Sequence, residues 1–116
     1  RVPHRILPQL RVDDLPSTAN QYIMRDNEFE WDDRKAASNA RNHHVTFELA
    51  RLAFRDPGAI DRLDRDEPDE DRMLLTGLIG DVLLTVCFVE RGHRNRIISA
   101  RKATQREQAD YNDSNE

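Results

Sequence analysis

The segment RNRIISARKATQRE, residues 94–107, contains the side chains of this sequence that are best suited to bind a phosphate. Six Arg or Lys residues and no Asp or Glu lie between Arg91 and Arg106, although the chain of 116 residues has a formal net charge of −4. Arginine presents a planar fork of donors that fits a phosphate or a carboxylate. This local excess of positive charge predicts an anion-binding site on an otherwise acidic protein.

The predicted elements limit which of these cations can share a ligand. In a regular strand, Arg96 faces one side of a sheet while Ser99 and Arg101 face the other. Arg101 and Lys102 end the strand, and Thr104–Glu107 matches the capping box of a helix start. Because the first N–H groups of a helix attract anions, we predict an anion site at this strand-to-helix corner. Its members are Arg96, Ser99, Arg101 and Lys102.

An acidic segment offers a different partner for the same arginines. DRLDRDEPDEDR, residues 61–72, carries seven acidic residues and three arginines. We interpret it as a solvated loop, whose carboxylates would then pair with the basic segment instead of leaving it to a ligand. Its spacing lacks the glycine-containing pattern of a calcium loop, so we predict neither a metal ion nor another cofactor.

Local signals predict the elements that position these residues. EFEWDD, residues 28–33, alternates polar and aromatic residues like a strand, and Asp32 is placed to cap a helix that ends at HHV. Thr46 is placed to cap a second helix, which Asp56-Pro57-Gly58 ends. Two apolar runs joined by Gly80-Asp81 predict a hairpin, followed by the strand RIISA and a last helix that reaches Tyr111. The order predicts an α+β fold, with two N-terminal helices and a C-terminal helix packed on an antiparallel sheet.

Length and periodicity predict one folded domain with less regular ends. Residues 1–26 show no sustained period, and their three prolines break any helix, so we predict an irregular N-terminal arm or extension. The domain is expected at residues 27–112, followed by a polar tail at residues 113–116.

The composition excludes several classes of protein. The single cysteine, Cys87, excludes an internal disulfide and a multi-cysteine zinc site, and its apolar strand predicts a buried thiol. The longest largely apolar run, Val82–Val89, is far shorter than the ~20 residues of a membrane helix. The sequence has no serine elbow, no glycine-rich phosphate loop and no paired-histidine metal motif. We predict a cytoplasmic protein.

The run FEWDDRKAASNARNHHVTFELARLAFRDP followed by RIISARKATQREQADY resembles the BrnT family of type II toxin–antitoxin toxins. The resemblance spans residues 28–111, and the uninterrupted RIISARKA is its most specific part. It implies a RelE-like fold, a ribonuclease that arrests translation, and a BrnA-like ribbon-helix-helix antitoxin as partner in a toxin–antitoxin hetero-oligomer. The positions that match the family pattern are Trp31, Lys35, Asn39, His43, Phe47, Arg72, Arg96, Ser99, Arg101, Lys102, Glu107 and Tyr111.

Two short stretches depart from the family pattern. Asn42-His43-His44 stands where the family has Lys-His-Gly, so His44 would need a positive φ, which costs a non-glycine residue free energy and affects the orientation of His43. Phe47-Glu48-Leu49 stands where the family has Phe-Glu-Glu, which removes the acid of a capping box after Thr46 and affects stability.

Metal-independent RNA cleavage requires a base for the 2′-OH proton, cations that stabilise the phosphorane, and an acid for the leaving 5′-oxygen. The products are a 2′,3′-cyclic phosphate and a 5′-OH, and DNA resists because it lacks the nucleophile. We assign charge stabilisation to Arg96, Arg101 and Lys102. Lys35 could add a cation, and His43 is the acid–base candidate because it titrates near neutral pH.

The remaining candidates have structural alternatives. Tyr111 could donate a proton or orient a base, and Trp31 could stack on one, but either ring could instead pack in the core. His43 could serve as the C-terminal cation of a helix. Arg72, Arg94 and Ser99 complete the predicted RNA contacts, with Arg94 in a turn. A non-catalytic module whose basic edge docks an acidic protein or nucleic acid is the alternative function.

Overall fold

The computed structural model describes residues 23–25, 28–66 and 71–116. The described residues form six strands: β1 (Ile23–Arg25), β2 (Phe29–Asp32), β3 (Ile60–Leu63), β4 (Met73–Ile79), β5 (Val82–Arg91) and β6 (Arg94–Lys102). They also form the helices α1 (Asp33–His43), α2 (Phe47–Ala50), which continues into a 3₁₀ turn (Arg51–Arg55), and α3 (Gln105–Ser114). The chain is therefore α+β. No helix in these ranges is long and apolar enough to cross a membrane.

The six strands make one mixed sheet in the order β1-β2-β6-β5-β4-β3. Strands β3 to β6 form an antiparallel meander, whereas β2 pairs parallel with β6. The predicted antiparallel meander is confirmed, but the sheet as a whole is mixed, so the prediction of an antiparallel sheet is wrong for the pairing of β2. After β2 the chain crosses one face of the sheet through α1 and α2 and re-enters at the far edge as β3, which leaves β2 to pair parallel with the last strand.

The acidic segment contributes to the sheet. Its first residues belong to β3, which pairs antiparallel with β4, with Arg62 opposite Leu74. The interpretation of residues 61–72 as a solvated loop is therefore wrong at its beginning, while residues 67–70 lie outside the described part of the chain. Of the arm predicted at residues 1–26, only the short strand β1 is described.

Polar side chains start the helices where the sequence predicts. The Oδ1 atom of Asp32 accepts from the backbone N–H of Arg34 at 2.8 Å, and Thr46 Oγ1 accepts from Leu49 N–H at 3.1 Å. Thr104 and Glu107 form both bonds of the capping box, and α3 continues past Tyr111 to Ser114. His44 ends α1 in the left-handed region at φ 59°, as the departure from the family pattern predicts.

The hydrophobic core lies between one face of the sheet and the helices α1 and α2. Trp31 and Phe47 are buried and meet edge to face with their ring centroids 5.9 Å apart. Asn39 is buried at the centre of α1, where its amide donates to the carbonyls of Val45 and Ala100 and accepts from the N–H of Ala100. This side chain therefore ties α1 to β6, and the opposite face of the sheet is left for the polar groups described below.

Candidate functional site

A β-bulge in β6 changes which of its side chains share a face. Cys87 of β5 pairs with Ser99, but the next residue, Phe88, pairs with Ile97, so β6 has one extra residue, Ile98, at this step. Beyond the bulge Arg96 pairs with Val89, which faces the same side as Cys87. The prediction that regular alternation separates Arg96 from Ser99 and Arg101 is therefore wrong, and all three lie on one face.

This face carries an open cleft of about 320 Å³. Four arginines and two aspartates line it around a floor of three smaller side chains, so the ionised lining groups have a net charge of +2 (four minus two). The lining residues are Arg62, Asp64, Arg65, Asp66, Arg72, Leu74, Cys87, Ser99 and Arg101. Three of the predicted site residues, Arg72, Ser99 and Arg101, are thus brought together.

Arg101 is held at the end of this cleft by a carboxylate from α3. Its Nη1 atom lies 2.7 Å from Glu107 Oε1 and its Nη2 atom 3.0 Å from Glu107 Oε2, a two-pronged ion pair. The hydrogen bonds that Arg101 donates to Glu107 are the main reason that the pKa of its guanidinium is raised. At this strand-to-helix corner, Arg101 therefore already has an anionic partner from the same chain, the carboxylate of Glu107.

Glu107 is also the end of a buried hydroxyl chain. Thr85 Oγ1 donates to Glu107 Oε1 at 2.9 Å, and because that hydroxyl has one proton, Thr76 must be the donor in the 2.8 Å contact between the two threonines. Burial opposes ionisation of Glu107, but the Arg101 pair and the bonds from Thr104 and Thr85 outweigh it and lower its pKa from 4.5 to about 2. Glu107 is therefore ionised at neutral pH.

A second arginine, on the edge strand β3, contacts the same carboxylate. Arg62 of β3 places its Nη2 atom 2.8 Å from Glu107 Oε2, with 52% of its side chain exposed. Arg62 and Arg65 are not among the residues predicted for the site, because their segment is predicted to be a loop. The signal that could have identified Arg62 is its place in the short strand pattern IDRL, which follows the Asp56-Pro57-Gly58 turn.

The single cysteine, Cys87, lies in the floor of the cleft. Cys87 is 5% exposed, which confirms the predicted buried thiol. Burial is the main cause of its raised pKa, although Arg72 nearby and a hydrogen bond with Ser99 favour the thiolate. The thiol is consequently neutral at physiological pH, and it contributes volume rather than charge to the site.

Arg96 lies on the cleft face but away from the cleft itself. Its Nε atom donates to Glu30 Oε2 at 2.8 Å, across the parallel pairing of β2 with β6. Among the described residues, the ion pairs of Arg96 and Arg101 are with carboxylates of β2 and α3, whereas the alternative interpretation pairs these arginines with the acidic segment. Arg94 is half-buried at the start of β6.

The other candidates lie on different surfaces or in the interior. Lys102 pairs with Leu84 and faces away from Arg101, where it lines a separate groove with Leu78 and Val82. Tyr111 is buried on α3, and its hydroxyl donates to Asp56 Oδ2 at 2.6 Å. Trp31 is 7% exposed and packs in the core, which is the alternative to stacking on an RNA base.

Lys35 and His43 are exposed on α1, near its two ends. This helix packs on the core face of the sheet, where Ala36 contacts the hydrophobic core and Asn39 binds Ala100. The sheet thus separates both residues from the cleft.

The pattern of residues in this cleft and its supporting elements can be compared with known families. The model of a family described as the ribonuclease toxin BrnT of a type II toxin–antitoxin system matches residues 31–107. This chain belongs to the BrnT family. It is accordingly a toxin of a type II toxin–antitoxin system with ribonuclease activity, and the matched range contains Arg62, Arg72, Ser99, Arg101 and Glu107. A search of curated proteins finds no significant match.

Proposed function

We propose that this BrnT chain is a metal-independent endoribonuclease that cleaves RNA by attack of a ribose 2′-OH on the adjacent phosphate. Its fold is proposed to be of the RelE type, with the basic strand β6 at the centre of the site. Cleavage of RNA would arrest translation in the cytoplasm. A BrnA-like ribbon-helix-helix antitoxin would cover the cleft and neutralise the toxin, in keeping with the type II family.

The observation that carries this proposal is the placement of Arg101. Its guanidinium is oriented by Glu107 while 35% of the side chain stays exposed to the cleft, beside Ser99 and Arg72. A cation that is held in position before the substrate arrives stabilises a phosphorane without reorganising during the reaction. We therefore assign charge stabilisation to Arg101 and Arg72, and a hydrogen bond to a phosphate oxygen to Ser99.

Proton transfer is assigned to carboxylates of the cleft. No histidine lines the cleft within the described residues, where the basic groups that can accept a proton are Asp64 and Asp66. Asp64 Oδ1 accepts from the backbone N–H of Asp66 at 3.1 Å, which orders this pair beside the floor. We propose that one of these carboxylates takes the 2′-OH proton as the P–O2′ bond forms, and that solvent water in the open cleft protonates the 5′-oxygen as the P–O5′ bond breaks. Lys35, His43, Lys102 and Tyr111 have no step in this proposal because they lie on other surfaces.

Incubation of antitoxin-free protein with mixed-sequence RNA in EDTA at low salt tests the proposal. The expected products are 2′,3′-cyclic phosphate ends, with DNA left intact. Arg101→Ala should lower the rate by roughly 100-fold, the usual effect of removing one preorganised donor. Arg106→Ala is the matched control. It also removes an arginine from the basic segment, but the Arg106 side chain is 86% exposed and pairs with Asp110.

Two outcomes would overturn the proposal. Equal loss in Arg101→Ala and Arg106→Ala would show that the cleft is not the reaction site. No cleavage by the folded parent, with or without ribosomes, would leave the non-catalytic binding module as the better description of the cleft.

A further inference from the structure

Two arginines from distant strands converge on the buried carboxylate of Glu107. We infer that Glu107 is a positioning residue that holds Arg62 and Arg101 together as one phosphate-binding pair, with Arg62 as a third cation of the site beside Arg101 and Arg72. This inference deepens the proposed function, because the phosphate is that of the RNA substrate.

The geometry requires a shared anchor. Strands β3 and β6 are separated by β4 and β5, so their backbones lie roughly 14 Å apart. Arg62 Nη2 and Arg101 Nη2 nevertheless contact the same Glu107 Oε2 atom, at 2.8 and 3.0 Å. Without this carboxylate, two like charges on long side chains would separate into solvent. Glu107 therefore determines where both guanidinium groups lie.

The carboxylate of Glu107 is buried, and both of its oxygens accept hydrogen bonds. Glu107 is 4% exposed, and its Oε1 atom also accepts from Thr85 Oγ1 and from the backbone N–H of Thr104, each at 2.9 Å. A carboxylate offers about four lone-pair sites, and here five N–H or O–H donors use them. Glu107 is consequently not available as a general base, and its part in the reaction is to orient the arginines.

The charges suit one phosphodiester. Two guanidinium groups and one carboxylate have a net charge of +1, opposite to the single negative charge of an RNA phosphate. Arg101 uses three of its five N–H donors within the described residues, on Glu107 and on the carbonyl of Lys102. Arg62 is half exposed. Both side chains therefore keep donors that face the cleft and can bind a phosphate oxygen.

The test compares single-turnover RNA cleavage by the full chain and its variants. Arg62→Ala should lower kcat/KM by roughly 10- to 100-fold, whereas Arg106→Ala should change it less than about threefold. Glu107→Gln should lower kcat by roughly 10-fold or more with little change in KM, since both cations remain but are no longer aligned. Glu107→Asp, which keeps the charge, should restore part of the rate.

A double-mutant comparison separates positioning from a purely structural role. If Glu107 acts through the two arginines, Glu107→Gln should have almost no further effect on the rate in the Arg62→Ala/Arg101→Ala background. The same fractional loss in both backgrounds, or equal rates for Arg62→Ala and Arg106→Ala, would overturn the inference. If Glu107→Gln fails to fold, Arg62→Ala decides alone, because Arg62 lies on an exposed edge strand.

Binding distinguishes failure of this inference from failure of the proposed function. If the parent cleaves no RNA, the proposed function fails, and affinity for a 2′-O-methyl RNA oligonucleotide becomes the measurement. Arg62→Ala and Arg101→Ala should then weaken binding by similar factors, and the double variant by less than their product. Equal affinities of Arg62→Ala and Arg106→Ala in that assay would overturn the inference.

Discussion

Glu107 accepts from side chains of three strands and from the backbone N–H of the residue that caps its own helix. Its partners are Arg62 of β3, Thr85 of β5, Arg101 of β6 and the capping residue Thr104. The sequence predicts the bond to Thr104, because a capping box is a local pattern of four residues. It does not predict the other three partners, because they depend on how distant strands are brought beneath α3.

Acid should remove part of the stability that Glu107 provides. Its pKa is lowered from 4.5 to about 2 in the folded protein, so its contribution is complete above pH 4.5 and is lost as the pH falls towards 2. We expect this contribution to be about 2 kcal/mol, after allowing for solvent around the half-exposed arginines. Urea unfolding at several pH values measures it.

Glu107→Gln is the matched variant for that measurement. Its stability should depend less on pH between 5 and 2 than that of the parent, so the difference between them should shrink in acid. Glu90→Gln, a change at an exposed position of β5, serves as the control and should follow the parent. A constant difference between Glu107→Gln and the parent across this range would contradict the lowered pKa.

Tyr111 illustrates a residue whose role changes once its partner is known. Its hydroxyl donates to Asp56, which raises the pKa of Tyr111. Burial opposes ionisation of Asp56, but the bonds from Tyr111 and from the N–H groups of Leu78 and Gly58 outweigh it, so the pKa of Asp56 is lowered. This network joins α3 to the end of the 3₁₀ turn and to β4, outside the cleft.

Tyr111→Phe should therefore affect stability more than cleavage. We expect the melting temperature to fall by roughly 4 °C because one hydrogen bond to a carboxylate is lost, while the cleavage rate stays within about twofold of the parent. Thermal unfolding and the RNA assay measure the two effects. A tenfold loss of rate, with the fold retained, would instead place the Tyr111 hydroxyl in the reaction.

At the scale of elements, α1 is joined to the sheet by one polar side chain. Asn39 forms three hydrogen bonds, two of them with Ala100 between the basic positions of β6. Ser99 and Arg101 flank Ala100 and line the cleft on the opposite face, so Asn39 binds the backbone of β6 between two cleft residues.

Asn39→Ala should cost about 3 kcal/mol of unfolding free energy, because it leaves the N–H and C=O of Ala100 and the C=O of Val45 buried without their partner. Urea unfolding measures this loss. Asn42→Ala is the control on the same helix, and it should change stability by less than about 0.5 kcal/mol because Asn42 is exposed. Equal effects of the two substitutions would contradict the bridging role.

The turn after α1 contains a strained residue. His44 adopts φ 59°, a conformation that favours glycine, which is the residue that the family pattern has there. His44→Gly should therefore stabilise the protein by about 0.5–1 kcal/mol. His43→Gly, one residue earlier within α1, should instead destabilise it by about 1 kcal/mol. Urea unfolding of the two variants measures both signs, and a loss of stability in His44→Gly would contradict the argument.

Most helices and turns were predictable from interactions within a few residues, whereas the pairing of distant strands was not. Asp32, Thr46 and the Gly80-Asp81 turn mark element ends through interactions within a few residues, so α1, α2 and the β4–β5 hairpin follow from sequence. The parallel pairing of β2 with β6 depends on a path across the sheet. The bulge at Ile98 adds one residue to an otherwise regular strand, and nothing in its letters distinguishes it from regular alternation.

At the scale of the whole molecule, positive charge is confined to one region of an acidic protein. The chain has a net charge of −4, whereas the cleft lining has four arginines and two aspartates. The sequence predicts this contrast from residues 94–107, and of the four members of its predicted anion site, Ser99 and Arg101 line the cleft. Arg62 of β3 and Arg65, two residues beyond its end, come from the segment that is the most acidic by composition, and both line the cleft.

Salt should weaken RNA binding only modestly for this reason. With a net charge of +2 in the cleft, about two counterions are released on binding single-stranded RNA, so log Kd should rise with log salt at a slope of about 1.4. Arg101→Ala should reduce that slope by about 0.7 and Arg106→Ala should leave it unchanged. Fluorescence anisotropy with a 2′-O-methyl oligonucleotide between about 50 and 200 mM salt measures the slope. A slope several times larger, insensitive to Arg101, would mean that RNA follows cations outside the cleft, such as Lys35 and Lys102 on the other side of the sheet.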